Sequence, residues 1–263
     1  MTRTYPVSVC IITFNEESRI RDCLESVKWA DEIIVVDSFS TDKTVDICKE
    51  YTERVYRRAW GGNIDQKNHT IGLATKDWLL CLDADERLSP ELTEEIQNVL
   101  NSHDTADGFF FPRRSSYLGR WIFHGDWYPD YQLRLFKRGR GRWQGTNPHG
   151  RVSVEGKTRY MKHDLYHFNY RNLSHQLKTM DNYSDVFSGI MVERNKDFSL
   201  FQLIFRPLYK FIKVYILKRG FLDGLPGFIL AITNAFYIFV KYVKLWECTH
   251  GNGREKKQNE KTV

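Results

Sequence analysis

The sequence predicts an α/β protein: a doubly wound, mostly parallel sheet followed by a basic helical region. Three observations predict it. Short β-rich apolar runs alternate with segments of helical periodicity through the first hundred residues. Carboxylate-rich clusters follow three of those runs, and the last quarter of the chain is basic and apolar together. A β-α-β-α order of this kind builds parallel sheets with helices on their faces.

Residues 7–12 (VSVCII) read as the first strand, and Ile20, Leu24 and Val27 then recur at the spacing of a helix burying one stripe. Residues 33–36 form a second strand, after which Ser40-Thr41-Asp42 offers N-caps for a helix through Val45 and Cys48. A short strand is expected at 54–56, a helix from Gly61-Gly62 to Ala74, and a strand at 78–82. Ser89-Pro90 starts another helix, Ser as cap and Pro in the first turn. Residues 108–168 change to short strand-like pieces broken by Gly and Pro and rich in Trp, Tyr and Arg. Helix returns over residues 173–193, and the tail from Gly251 has the composition of a disordered segment.

A length of 263 residues allows one substantial domain plus an appendage. With 41% hydrophobic and 27% charged residues, the composition excludes a disordered chain. The net charge of +6 is unevenly placed. Residues 1–193 hold 26 Lys/Arg against 28 Asp/Glu, whereas residues 194–263 hold 13 against 5. The C-terminal basicity points to a partner carrying phosphates, either a membrane surface or nucleic acid. The five cysteines show no CxxC pairing, so reduced structural thiols are expected rather than zinc or disulfides. The first residues lead straight into a strand-like run, and no export signal is expected.

In doubly wound sheets ligands bind at the carboxyl ends of the strands. That rule selects Thr13-Phe14-Asn15-Glu16, the run from Asp37 to Asp42, and Asp83-Ala84-Asp85-Glu86. A strand-end carboxylate can be a simple cap or turn residue, but an Asp-x-Asp pair after a hydrophobic strand also suits Mg²⁺ or Mn²⁺. Such ions typically take one or two carboxylates plus substrate phosphates.

The segments VSVCIITFNEE, EIIVVDSFSTDKT and WLLCLDADE, in that order and spacing, resemble family 2 glycosyltransferases of the GT-A fold. QKNHTIGLATKDWLLCLDADE, WYPDYQLRLFKR and KRGFLDGLPGFILAITNAFYIFVKYVKL extend the likeness to the lipopolysaccharide core β-glucosyltransferase group acting on inner-core heptose. The resemblance covers about residues 5–247 and implies a catalytic domain over residues 1–193, with a basic amphipathic helical region over 194–250. It implies a UDP-sugar donor, UDP-glucose foremost, and a lipid-linked saccharide acceptor. A capsule precursor, another lipid-linked glycan or a protein is the alternative acceptor.

Carried over residue by residue, the family pattern places Asp37 at the nucleotide base and Thr13, Asn15 and Glu16 at uridine and ribose. It places Asp83 and Ala84 near the ribose, and gives Asp85 the metal that bridges the diphosphate. Lys67 would sit near the phosphates; as a plain helix lysine it would be solvated. Inverting transfer needs a base for the acceptor hydroxyl. Asp130 is the expected base, with Asp126 as the alternative, although Leu135-Phe136 stand where the family usually has Trp. Trp127, beside the expected base, and Arg134 are expected at the acceptor. His149 and His167 are each either a further metal ligand or an ordinary hydrogen-bonded histidine.

From Phe201 to Leu217, Phe201, Ile204, Phe205, Leu208, Phe211, Ile212 and Tyr215 fall on one helical stripe, interspersed with Arg206, Lys210 and Lys213. Residues 225–240 are apolar but short of a secure bilayer span. These features predict helices lying in the interface of an anionic leaflet, on the cytoplasmic face of the cytoplasmic membrane. The bland alternative is a helical pair packed on the catalytic domain or on a second copy. Nucleic acid is not an expected partner, because the aromatic residues fall on an apolar helical face. A nucleotidyltransferase is disfavoured, since TFNEESR is not a Gly- and basic-rich triphosphate loop.

Overall fold

The computed structural model describes residues 6–102, 105–146 and 150–250. They fall into two compact units: one formed by the chain up to Ser115 together with Pro129–Phe168, the other by Ser116–Tyr128 together with the chain from Asn169 onward. The helix that ends at Glu193 packs on the C-terminal helix, and it belongs to the second unit.

The first unit begins with β1 (Val7–Thr13), α1 (Ile20–Val27), β2 (Glu32–Asp37), α2 (Thr44–Lys49), β3 (Val55–Arg57), α3 (Asn63–Gly72) and β4 (Trp78–Asp83). It continues with β5 (Glu86–Leu88), α4 (Pro90–Asn101) and β6 (Gly108–Tyr117), whose last two residues lie in the second unit and pair with β7 (Arg120–Trp121). Then come β8 (Asp130–Lys137), β9 (Gly141–Gln144), β10 (Arg151–Val154), β11 (Thr158–Tyr160) and β12 (Leu165–His167). The main sheet runs β3-β2-β1-β4-β8-β6-β12-β5, and β9 pairs with β10 separately. β3, β2, β1 and β4 are mutually parallel, while β8 runs antiparallel to both β4 and β6.

Alternation along the strands separates two cores. Val9 and Ile11 of β1 pack with Ile20 and Leu24 of α1 and Leu92 and Ile96 of α4 on one face. Cys10, Leu79 and Cys81 face the other way, against Phe136 and Trp143 and the half-buried Ile64 and Ile71 of α3. Cys23 and Cys48 are buried as well, and Cys248 is exposed. Ser89 caps α4 as expected, its Oγ accepting the Leu92 N–H, with Pro90 at the first helical position. The α2 cap differs from the expectation. Only Asp42 serves there, its Oδ1 accepting the Thr44 N–H at 3.0 Å, while Ser40 turns back onto Asp37.

The second unit contains α5 (Leu173–Glu193), α6 (Leu200–Ile212) and α7 (Gly224–His250). A π turn (Lys213–Leu217) and a 3-10 turn (Gly220–Asp223) join α6 to α7. α7 packs on both α5 and α6. A small core of Tyr117, Ile122 and Leu230 is tied by a hydrogen-bond chain from the Tyr117 hydroxyl to Gln176 and on to Thr233. Much of α6 stays outside any core: Leu200, Phe201, Ile204, Leu208 and Tyr209 are each more than half exposed. On α7, Leu225 is 69% and Phe236 48% exposed. Among the described residues, the stretch Gly220–His250, the 3-10 turn followed by α7, is by length and composition long and apolar enough to cross a membrane. That exceeds the short apolar run expected from the sequence, because the helix continues through Lys241 and Lys244.

Candidate active site

Parallel pairing brings three strand ends to one edge. Thr13 is opposite Asp37 across β1 and β2, and Ile12 is opposite Asp83 across β1 and β4. The two loops leaving β1 and β2 are then sewn together. The Asn15 N–H donates to Ser40 Oγ at 2.8 Å, the Thr41 N–H to Asn15 Oδ1 at 2.9 Å, and the Glu16 N–H to Thr44 Oγ1 at 2.8 Å. Asn15 and Phe39 hold positive φ values of 53° and 63°, backbone that short polar side chains tolerate and bulky ones resist. Phe39 and Phe14 point outward, 53% and 55% exposed.

Asp37 is wholly buried, its carboxylate accepting the N–H of Ser40 at 2.9 Å and also the Ser40 hydroxyl. In this conformation it braces the loop and presents no surface to a base. The exposed rings of Phe14 and Phe39, which the sequence reading passed over, are the planar surfaces available at these loops. The Thr13 hydroxyl is buried and makes no hydrogen bond among the described residues.

Beyond β4, a chain of alternating charges runs through the sheet. Lys67 Nζ lies 2.6 Å from Asp83 Oδ1, and Arg134 Nη2 lies 2.9 Å from Asp83 Oδ2. The same Arg134 nitrogen is 2.6 Å from Glu86 Oε1, which Arg113 Nη1 approaches at 3.2 Å; Arg113 Nη2 then reaches Asp130 Oδ2 at 2.6 Å. Glu86 is fully buried and also accepts the Asp83 N–H at 3.1 Å. Three cations thus meet three carboxylates, which is how buried charges are tolerated. Burial pushes the Asp83 carboxyl up, but Lys67 and Arg134 outweigh it and hold the group far below its ordinary value.

Of the two readings of Lys67, the solvated helix lysine does not hold: it is 8% exposed, with Nζ 4.2 Å from the centre of the Trp143 ring as well as on Asp83. Arg134 is 2% exposed, and its Nη2 donates to both Asp83 and Glu86. Glu86 was selected from sequence only as part of the strand-end cluster, without a role, and Arg113 was not singled out. Glu86 is adjacent to the Asp-x-Asp pair, but its partners lie 27 and 48 residues away and only sheet register brings them together.

Asp85 points elsewhere. Its Oδ2 is 3.5 Å from His167 Nε2 and 3.9 Å from Arg19 Nη1, and Arg19 also approaches Glu16 Oε2 at 3.8 Å. Burial pushes the Asp85 carboxyl up, but His167 in its protonated form outweighs it and Arg19 adds to the effect, so without a metal the group sits below its ordinary value. His167 reaches this place because β12 pairs with both β5 and β6, opposite Glu86 and Ser115. Its Nδ1 lies 3.0 Å from Ser115 Oγ; the tautomer that donates this hydrogen bond presents the Nε2 lone pair toward Asp85. One carboxylate and one oriented imidazole fit a divalent ion whose remaining ligands come from phosphate and water. Among the described residues, no third His, Cys, Asp or Glu joins them to form a complete protein cage. His149 lies outside the described residues.

Asp130 opens β8, paired with Arg113 of β6. Its Oδ2 accepts from Arg113 Nε and Nη2 at 3.0 and 2.6 Å, and its Oδ1 from Gln132 Nε2 at 2.8 Å. Burial raises its carboxyl, yet Arg113 more than offsets this and holds it ionised below the usual range. Asp126 and Trp127 belong to the second unit. Trp127 packs edge-on against Tyr117 at 5.7 Å and tilted against Tyr170 at 6.2 Å, so it is a partly buried core aromatic. Asp126 is surrounded by Lys210, Lys213 and Lys218.

Sheet order, edge loops and the Asp-x-Asp pair together define the GT-A type of α/β fold. A profile described as Glycosyl transferase family 2 matches residues 8–156. The chain is 31% identical over 254 residues to the lipopolysaccharide core biosynthesis glycosyltransferase LpsC of Rhizobium meliloti (strain 1021), covering 92% of each chain. It is 30% identical over 253 residues to the uncharacterized glycosyltransferase RT0209 of Rickettsia typhi, covering 92% of this chain and 87% of that one. Among solved structures, S. aureus TarS 1-349 aligns with a TM-score of 0.49 at 16% identity, over 95% of this chain and 92% of that one. The chain belongs to glycosyltransferase family 2.

Proposed function

We propose that this glycosyltransferase moves a hexosyl group, glucose foremost, from a UDP-sugar to a hydroxyl of a lipid-linked saccharide, with inversion at the anomeric carbon. The convergence of Asp85 and His167 beside the sewn β1 and β2 loops is the observation that carries the reading. Similarity to LpsC over nearly the whole chain supports an inner-core sugar of lipopolysaccharide, heptose first, as the acceptor. The bond from the acceptor oxygen to the anomeric carbon forms as the bond from that carbon to the diphosphate oxygen breaks. UDP leaves, and the acceptor proton goes to a carboxylate.

Asp130 is the proposed base. A carboxylate has about four lone-pair sites, so three hydrogen bonds leave room for an acceptor hydroxyl. Arg113 keeps it ionised between turnovers. Phe14 and Phe39 would flank the base, and the Asn15–Thr41 and Asn15–Ser40 hydrogen bonds hold that loop rigid for the nucleoside. Mg²⁺ or Mn²⁺, held by Asp85 and His167, would stabilise the charge that develops on the departing diphosphate. Lys67 acts from beneath, through Asp83.

The second unit suits peripheral association with the cytoplasmic leaflet of an anionic membrane, where a lipid-linked acceptor is found. Half-exposed Phe201, Ile204, Leu208 and Phe236 give an apolar surface, and α6 carries Arg206 and Lys210 beside it. The reading is tested by transfer assays with UDP-glucose and a core-oligosaccharide acceptor, comparing the unaltered chain with Asp130→Asn. Removing the base is expected to cost about 10²–10⁴-fold in kcat while UDP affinity is retained. Turnover at the unaltered rate would remove Asp130 from the mechanism.

A further inference from the structure

The turn between α6 and α7 gathers three lysines around a single carboxylate. Lys213 Nζ is 2.9 Å from Asp126 Oδ2, Lys210 Nζ 3.7 Å from the same oxygen, and Lys218 Nζ 3.6 Å from Oδ1. Their convergence has a backbone cause. Lys210, in the last turn of α6, and Lys213, the first residue of the π turn, are three residues apart and share one helical face. The π turn then closes a hydrogen bond from the Lys218 N–H to the Lys213 carbonyl at 2.8 Å, which carries Lys218 back over Lys213. A regular α-helix would turn Lys218 away. Wide turns of this kind are frequent at functional positions.

Asp126 is fixed just as firmly. Buried Asp223 accepts the backbone N–H of Phe123 and of His124, and it bonds the His124 ring at 3.0 Å. The Gly125 N–H donates to the Lys218 carbonyl at 2.9 Å, and Gly125 and Asp126 both take positive φ, 73° and 69°. A side chain at Gly220 would place its Cβ 2.6 Å from the Val214 carbonyl oxygen, so only glycine lets the turn close this tightly. The cluster is therefore held by the fold, not by flexible surface side chains meeting by chance.

Its charge is unbalanced. Among the described residues, the ion pairs made by these three lysines are all to Asp126, and only Lys213 is within hydrogen-bond distance. Crowding like charges on one helical face is unfavourable, and one carboxylate offsets one of three. What remains is two positive charges with unclaimed N–H donors, the complement of a phosphate group. The residues around the lysines in sequence are apolar and exposed: Tyr209 61%, Ile216 54% and Leu217 62%. A free phosphate has no use for that border, whereas a phospholipid fills both parts.

We propose that Lys210, Lys213 and Lys218, organised by Asp126, form a binding site for the phosphate of an anionic phospholipid headgroup, with Ile216 and Leu217 entering the acyl region beside it. The site rests on the membrane-associated reading of the second unit, and gives it a defined anchoring point.

Sedimentation of the full chain with vesicles tests it, using phosphatidylcholine alone and phosphatidylcholine mixed with phosphatidylglycerol. The triple variant K210Q/K213Q/K218Q is expected to lose affinity for the mixed vesicles by about fivefold per lysine, on the order of a hundredfold in all. Its binding to phosphatidylcholine alone should not change. Asp126→Asn, which removes the competing carboxylate, should tighten binding to the mixed vesicles by about fivefold. The charge-matched variant K49Q/K157Q/K178Q controls for net charge, and circular dichroism checks that each variant is folded. Undiminished binding by the first triple variant, or a loss no larger than the control's, would overturn the headgroup site while leaving membrane association standing. Failure of the unaltered chain to bind either vesicle would overturn both.

Discussion

Replacing Arg134 by Met tests the ion network beneath the site. The side chain is 3% exposed and its Nη2 serves Asp83 at 2.9 Å and Glu86 at 2.6 Å. Met matches the length of the stem and keeps contact with the Trp143 ring, which lies 5.5 Å from the guanidinium carbon. Removing one partner of a buried ionic network typically costs about 3–5 kcal/mol, because the other charge stays buried. Here Lys67 still holds Asp83 and Arg113 still holds Glu86. The expected loss is therefore at the low end, about 3 kcal/mol. At about 2–4 °C per kcal/mol for a chain of this size, that is a fall of roughly 6–12 °C in the melting temperature. Glu86→Gln supplies the second arm of a double-mutant cycle. The double variant should be more stable than the sum of the single losses by at least about 0.5 kcal/mol, since it removes both members of one pair. Additive losses, or an Arg134→Met variant that melts with the unaltered chain, would refute the network as a unit.

Ser40→Ala removes the hydroxyl that both braces Asp37 and accepts the Asn15 N–H. With that buried carboxylate left short of a partner, a stability loss of about 1–3 kcal/mol is expected, and the loosened donor loop should raise KM for the UDP-sugar with kcat largely kept. A fall in kcat alone would contradict a donor-loop role. Asp130 supplies the pH dependence. Its carboxyl is held below the unfolded value, so any stability it contributes is present above about pH 3.9 and is lost as pH falls through the lower folded value. Its ionised, base-competent form follows the same window. Arg113→Met removes the largest offset to burial, leaving Gln132 and His167 against it, and should move the acid limb of kcat/KM to higher pH. An unmoved limb would show that another group sets it.

Much of the framework was legible because the strands carry their own signal. The apolar runs at 7–12 and 78–82 became β1 and β4, each one residue longer, and the rule of ligands at strand ends led to Thr13, Asn15, Asp83 and Asp85. His167 could be named, but its place beside Asp85 depends on β12 pairing with β5 and β6, which local sequence does not encode. The same holds for Glu86 with Arg113 and Arg134. Arg134 was expected at the acceptor from the family resemblance; its place on Asp83 and Glu86 depends on sheet register, which local sequence does not encode. Trp127 and Asp126 were read with Asp130 because they are near in sequence, yet the chain changes unit between Tyr128 and Pro129. Sequence proximity across such a passage says little about shared chemistry.

The central claim is that Asp85, with His167, makes a metal-assisted site for a nucleoside diphosphate. Calorimetric titration of the full chain with UDP, with and without Mn²⁺, and again with Asp85→Asn, tests it most directly. The account predicts UDP binding that is strengthened by Mn²⁺ in the unaltered chain, and a variant in which Mn²⁺ makes no difference. Equal strengthening by Mn²⁺ in the variant, or no UDP binding by the unaltered chain under either condition, would contradict it.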